Sequence, residues 1–342
     1  MTVRLRASQR ALILGAVLLL AVLTSGLGAA AASAAPSEPA LTVAQLEALL
    51  AASPSGTAGG YFKTVLKGSD IVRIPVTLKA MVPQYINGMT MIFFQAQGAT
   101  IEEIGGIASG MSGSPLFVED HGIEKLAGAV SYGDVFTRGY LGLATPVEYM
   151  ADMEDTFLPA GAATATLPRA VQAGGRSISR VTVAGSARAA SAVRPSAGTA
   201  VMAPLAAMSI AGLPQGSAAY KDVAARFAKH GIEVSPFAGQ IAGKAAGTAA
   251  PFAGGSALAT LLARGDVLYG ALGTVTWVDS DRLVIFGHSF MDMGPIDAYL
   301  TTAVINGIWA SDYIPYKMGT VGDLAGSMLQ DRGAGVAGSD SS

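Results

Sequence analysis

The sequence predicts a mainly β protein of the sandwich or barrel kind, with a few short helices. Three observations carry this expectation. From Tyr61 the chain breaks into short strand-like runs: "YFKTVL", "DIVRIPVTLKAMV", "MTMIFFQAQ", "SPLFVED", "LAGAVSYG" and "GYLGLATPV". Gly, Asn and Asp stand between them, residue types that supply the backbone angles of tight turns. A second β-like block runs from about 267 to 338, and its "GTVTWVDSDRLVIFGHSF" reads as two apolar strands around a polar turn at Asp279 to Arg282. At 342 residues the chain is long enough for two compact units, each with its own core.

Taken in order, residues 1–34 place Arg4, Arg6 and Arg10 before the apolar run "ALILGAVLLLAVL", with Ala32 and Ala34 fitting an A-x-A cleavage rule. This is a secretory signal pattern, and Ser25, Gly26 and Gly28 favour cleavage over the other reading, an uncleaved anchor. Residues 35–60 hold a helix and a linker: Thr42 and Gln45 form a T-x-x-Q capping box ahead of an amphipathic stretch that Pro54 and the following glycines end. Residues 61–158 form the first β unit. Residues 159–200, rich in Ala, Gly, Ser and Arg, read as a linker with one strand at most. Residues 201–266 are a mixed connecting segment whose clear element is a helix over 218–230, capped by Ser217 before it and Gly231 after it. Residues 267–342 form the second β unit.

Composition narrows the function. Charged residues make up 13% of the chain against roughly 25% in ordinary soluble domains, so much of the surface is Ser, Thr, Gln, Gly and Ala. Loss of residues 1–34 would remove three arginines and no acid, taking the formal charge from −2 to −5, which argues against nucleic-acid binding. No later apolar run is long enough to span a bilayer, so no membrane association is expected once the signal is cleaved. There is no cysteine, hence no disulfide, no thiol nucleophile and no Cys-based metal site, and three histidines at 121, 230 and 288 are too scattered for a metal cage. No cofactor is implied: dinucleotide and phosphate-loop motifs are absent, and Asp279, Asp281, Asp292 and Asp297 do not have calcium-loop spacing.

The stretch "GGIASGMSGSPLFV" at 105–118 places serines in a glycine-lined turn just ahead of an apolar strand. A serine hydroxyl becomes a nucleophile only when a base takes its proton, and the resulting oxyanion needs donors already aimed at it. Gly110 and Gly113 permit backbone angles that let neighbouring amides point one way. The turn "GMSGSP" resembles the G-D-S-G-G-P segment of chymotrypsin-like proteases, with Met111 where the aspartate stands and Ser114 at the second glycine. The longer "IGGIASGMSGSPLFVEDHGIEKLAGAV" resembles the nucleophile signature of the SpoIVB serine peptidases, as do "VIFGHSFMDMGPID" and "GDLAGSMLQDRGAGVAG" for their second signature. The resemblance covers roughly residues 60–150 and 270–338. It implies a chymotrypsin-like two-barrel serine peptidase fold, Ser112 as nucleophile, the amides of Gly110 and Ser112 as oxyanion hole, and His288 as general base acting on a protein or peptide substrate.

Two features depart from that family. Its histidine precedes its serine, whereas here the only candidate base follows, which implies that the halves are permuted or completed by another copy. Where the family carries an aspartate about fifteen residues before the nucleophile, this chain has Gln97, and a neutral amide cannot stabilise imidazolium by charge. Glu102, Glu103, Asp292 and Asp297 are the other acids within consideration, each read first as a solvated turn or surface carboxylate, so the third position is left empty. His121, in a polar turn, and His230, at a helix end where a cation is favourable, have structural readings. Two functions follow: a secreted or cell-envelope serine endopeptidase, or the same fold kept as an inactive binding or structural module. Self-processing within 159–200 is a third, separable by cleavage that vanishes in Ser112→Ala. Oligomeric state and substrate preference are not legible.

Overall fold

The computed structural model describes residues 35–86, 88–135, 139–152, 163–194, 196–205, 208–229, 234, 241–242 and 251–340; the expected signal segment and His230 lie outside them. The first helix, α1 (Val43–Ala52), starts where the capping box predicts: Thr42 Oγ1 accepts from the Gln45 amide at 3.2 Å and Gln45 Oε1 from the Thr42 amide at 2.9 Å. It buries Leu46 and Leu50 against the first β unit.

That unit contains β1 (Ala58–Val65), β2 (Ile71–Ile86), β3 (Met89–Ala96), β4 (Pro115–Asp120), β5 (Ile123–Asp134) and β6 (Leu141–Pro146), with short helices α2 (Ala99–Ile104) before β4 and α3 (Val147–Ala151) after β6. The strands close on themselves. Antiparallel pairs join β1 to β2, β2 to β3, β3 to β6, β6 to β5, β5 to β4, and β4 back to β1. Closure satisfies every backbone group that an open sheet would leave on an edge. Inside lie Phe62, Leu78, Ile92, Phe94, Leu116 and Val130, all fully buried. At roughly 1.5–3 kcal/mol for each such side chain removed from water, this cluster holds the barrel.

Residues 163–204 correct the linker expectation. They form β7 (Ala163–Ala173), β8 (Arg176–Val183), α4 (Ala187–Ala192) and β9 (Thr199–Pro204), and extend the first sheet in the order β5-β9-β8-β7. Ala, Ser and Arg dominate here because β7 exposes most of its length and buries only Leu167, Val171 and Ala173. Next come β10 (Ser209–Ala211), α5 (Ala218–Lys229) and β11 (Ile241–Ala242); within the described residues α5 matches the predicted helix.

The second unit begins earlier than the predicted 267. Its strands are β12 (Ala257–Ala263), β13 (Leu268–Asp279), β14 (Arg282–Ile285), β15 (Gly294–Trp309), β16 (Tyr316–Arg332) and β17 (Gly335–Ser339). The expected hairpin is present, with Asp279 opposite Arg282. Antiparallel pairs join β12 to β13, β13 to β14, β14 to β17, β17 to β16, β16 to β15, and β15 back to β12. Leu258, Val275, Leu283, Ile285, Phe286, Leu300, Met328 and Val336 fill it. Counted from its own first strand, each ring runs first-second-third-sixth-fifth-fourth. Two closed six-stranded antiparallel barrels with a few short helices are the architecture of the chymotrypsin-like two-barrel fold. The serine-bearing barrel comes first in the chain and the histidine-bearing barrel second. Among the described residues no helix is long and apolar enough to cross a membrane.

Candidate active site

Ser112 lies on the connection from the third to the fourth strand of its barrel. After β3 the chain forms α2, stops at Gly105 in the left-handed region, and enters the turn 107–114. Gly110 and Gly113 have φ of +92° and +90°, as the glycine spacing predicts. Gly113 is also a close approach: a Cβ there would overlap the Thr274 carbonyl and lie 2.5 Å from the Phe286 amide nitrogen. Both barrels grip this turn. From the first, the Gly113 amide donates to the Val130 carbonyl at 2.8 Å and the Val130 amide to Ser114 O at 2.9 Å. From the second, the Thr274 amide donates to Ser112 O at 2.9 Å, Thr274 Oγ1 to Gly110 O at 3.0 Å, and Thr276 Oγ1 to Gly113 O at 2.8 Å.

Lys317 completes the grip, and sequence reasoning missed it. Its amide donates to Ser109 O at 2.9 Å, its stem packs against Gly110, and its Nζ donates to Thr64 Oγ1 at 2.8 Å and Thr274 Oγ1 at 3.3 Å. Thr64 belongs to the first barrel and Thr274 to the second, so one ammonium ties the two together beneath the turn. It is fully buried with no acidic partner among the described residues, and burial alone pushes its pKa down to about 7.

His288 follows β14 at the matching third-to-fourth connection of the second barrel. Phe286 and Gly287 both take positive φ, +69° and +68°, turning the chain sharply so that the Gly287 carbonyl points into the first barrel. Ser131 Oγ donates to it at 2.9 Å, and Thr145 Oγ1 donates to it as well. The imidazole lies near the rings of Tyr132 and Phe286, with centroids 5.7 Å and 5.9 Å away. Its Nδ1 is 2.7 Å from the Ser289 carbonyl. A carbonyl only accepts, so Nδ1 carries the proton and Nε2 keeps a free lone pair. Burial pushes the imidazolium pKa down to about 4, only partly opposed by that carbonyl, so the ring is neutral at pH 7.

β5 therefore contacts both segments that carry the predicted residues. Val130 holds the neighbour of Ser112, Ser131 holds the neighbour of His288, and Tyr132 faces the imidazole. Ser112 Oγ and His288 Nε2 are both buried and neither has a hydrogen-bond partner, so they are not bonded to each other. Ser114 Oγ is likewise buried and unpartnered. The Gly110 amide is occupied: it donates to the Leu205 carbonyl at 2.6 Å.

Of the candidate acids, Asp292 lies half-buried on the His288 loop itself, with φ of +58°, and the others are on the surface. Gln97 is exposed, accepting from Thr77 Oγ1 at 3.2 Å, and Glu102, Glu103 and Asp297 are exposed. His121, on the surface, is 2.7 Å from Asp120. The carboxylate that orders this region is Asp331. It is fully buried and accepts from the amides of Phe290 and Met291 at 2.7 Å each and of Met293 at 3.2 Å, fixing the loop that carries His288. Burial raises its pKa despite these donors. Among the described residues no group of three His, Asp or Glu side chains gathers to hold a metal ion. No family model, curated protein or solved structure matches this chain.

Proposed function

We propose that the chain is an extracytoplasmic serine-type endopeptidase of the SpoIVB kind, with Ser112 as nucleophile and His288 as general base. The observation that carries the reading is the state of two atoms. Among the described residues Ser112 Oγ and His288 Nε2 are buried and have no hydrogen-bond partner, and β5 bonds the residue next to each, Gly113 and Gly287. A buried hydroxyl or imidazole nitrogen without a protein partner is unfavourable by about 1–3 kcal/mol and stays available to a substrate group or a water.

In the reaction, Ser112 Oγ attacks a peptide carbonyl while its proton passes to His288 Nε2. The oxyanion accepts from the amides of Gly110 and Ser112. His288 then returns the proton to the departing amine, and water repeats the sequence on the acyl-enzyme. The Ser289 carbonyl fixes the tautomer but supplies no negative charge, and burial opposes imidazolium, so turnover is expected to be slow. Replacing a triad acid by an amide lowers turnover about 10⁴-fold in enzymes that have one.

The missing carboxylate on Nδ1 favours the second reading, an inactive binding module on the same fold. A fluorophosphonate probe distinguishes them. It is expected to label the folded wild type at Ser112, mapped by peptide mass, and not Ser112→Ala; a folded chain that stays unlabelled after prolonged exposure overturns the peptidase reading.

A further inference from the structure

The Leu205 carbonyl on the Gly110 amide is the last link of a longer contact. β9 runs antiparallel to the end of β5, with Met202 opposite Asp134, Ala203 opposite Gly133 and Pro204 opposite Tyr132. The pairing extends at both ends, through the Val135 amide on Val201 O at 3.0 Å and the Leu205 amide on Ser131 O at 3.1 Å. A regular antiparallel pair would continue this exchange, with the Leu205 carbonyl accepting from the Ser131 amide. Instead the carbonyl turns away and sits on Gly110, two residues before Ser112. Pro204, with no amide to give, falls opposite Tyr132 between the bonded positions, where it removes no ladder bond.

Leu205 is fully buried and belongs to the apolar cluster that includes Phe94, Ile107, Ala108 and Met111. Gly133 makes room for its side chain: a Cβ there would lie 2.9 Å from Leu205 Cδ2. Main-chain pairing along a strand edge, a carbonyl on a donor beside the nucleophile, and an apolar side chain in a pocket are together how an extended peptide is bound for acyl transfer.

We infer that Ala203–Leu205 is a built-in substrate mimic: it fills a peptide groove formed by Ser131–Asp134, the Gly110 amide and the apolar pocket, and so shields Ser112. The groove takes an extended peptide with a leucine-sized aliphatic side chain at the residue whose carbonyl faces Gly110. That the mimic shields a reactive serine rests on the peptidase reading; that the groove binds peptide rests only on the hydrogen bonds and the pocket.

The test uses the full chain carrying Leu205→Ala. Truncating a buried leucine weakens the packing that holds the segment, so it is expected to leave the groove more than tenfold more often. Fluorescently labelled acetyl-Met-Ala-Pro-Leu-amide is followed by polarisation in a Ser112→Ala background. Binding is expected with Leu205→Ala and not without it, falling at least about tenfold when the peptide leucine becomes aspartate. In parallel, with Ser112 present, fluorophosphonate labelling is expected to be slow in the wild type and about tenfold or more faster with Leu205→Ala. Peptide binding with no labelling in either chain keeps the groove and removes the peptidase. Labelling at one rate in both chains, with no peptide bound by folded Leu205→Ala, keeps the peptidase and removes the mimic. Should Leu205→Ala not fold, Leu205→Val, one methylene smaller, is measured in its place and is expected to give a smaller change in the same direction; no change in either readout overturns the inference.

Discussion

The two barrels share one strand order, and each places its candidate residue on the connection from third to fourth strand, yet they hold that connection in different ways. In the first barrel it spans residues 97–114, contains a helix, and is clamped by backbone and threonine bonds from both barrels. In the second it spans residues 286–293, where Asp331 of the same barrel holds the amides of Phe290, Met291 and Met293, and the first barrel bonds the Gly287 carbonyl through Ser131 and Thr145. The serine turn is thus a product of the seam, whereas the histidine loop is built mainly by its own barrel. Damage to the seam should reach Ser112 first, and damage to Asp331 should reach His288 first.

The strongest way to break this contrast is Gly113→Ala. Its Cβ would meet backbone of the facing barrel rather than a side chain that can move, and φ of +90° is strained for alanine. A loss of about 4 kcal/mol or more is expected from the denaturant midpoint. At Gly287 the nearest obstacle is Ser131 Oγ at 2.7 Å, so Gly287→Ala is expected to be milder. Equal losses would erase the distinction.

Asp331→Ala comes next, at about 2–3 kcal/mol, because three part-buried amides lose a charged acceptor. Hydrogen exchange should quicken at Phe290, Met291 and Met293 while the Gly113 amide stays protected; loosening of both would mean that the loops are not held separately.

Lys317→Met sharpens the seam itself. Folding lowers the lysine pKa from its ordinary 10.5 to about 7, so between those values the unfolded chain holds the extra proton and stability rises with pH. Stability gained from this site is complete above pH 10.5 and lost as pH falls through 7. Each unit is worth about 1.4 kcal/mol, and an effect of about 2–3 kcal/mol after relaxation of the interior is expected. Wild-type melting temperature should rise from pH 7 towards pH 10 more than that of Lys317→Met; parallel curves would mean that Nζ is hydrated.

The smallest effect expected is from His288. Its pKa falls from 6.5 to about 4, so the unfolded state takes up the proton first and stability is lost as pH drops through that window. By pH 5 the loss is about 1–2 kcal/mol. His288→Gln should flatten this slope, seen in melts from pH 7 to pH 4.5.

How far all this was legible follows from where each signal lies. The serine turn was readable because its glycines and serines are consecutive and their angles are local. The barrels were readable from alternating apolar runs punctuated by turns. Residues 163–204 were not, because strands that bury one sparse face carry so few large apolar residues that composition resembles a linker. His288 stood out only by resemblance, since a lone histidine after a strand has no local mark of purpose. Asp331 was hidden because it answers backbone amides, which every sequence has. Lys317 was hidden because its partners are two threonines far off in the chain. Leu205 belongs to the same class: its meaning lies in a carbonyl, not in its side chain alone.

β5 is irregular where all of this meets. Its pairing with β6 shifts register between Val130 and Tyr132, leaving Ser131 as the additional residue of a bulge. That surplus residue permits three successive positions to serve three different partners, which a regular pleat with its strict two-sided alternation does not allow. Length is therefore under tighter control here than chemistry. Swapping Ser131 for alanine subtracts only the bonds of its hydroxyl, but deleting it would restore a regular pleat against β6 and remove the carbonyl that receives the Leu205 amide together with the hydroxyl that holds Gly287, uncoupling the imidazole loop and Leu205 in a single event.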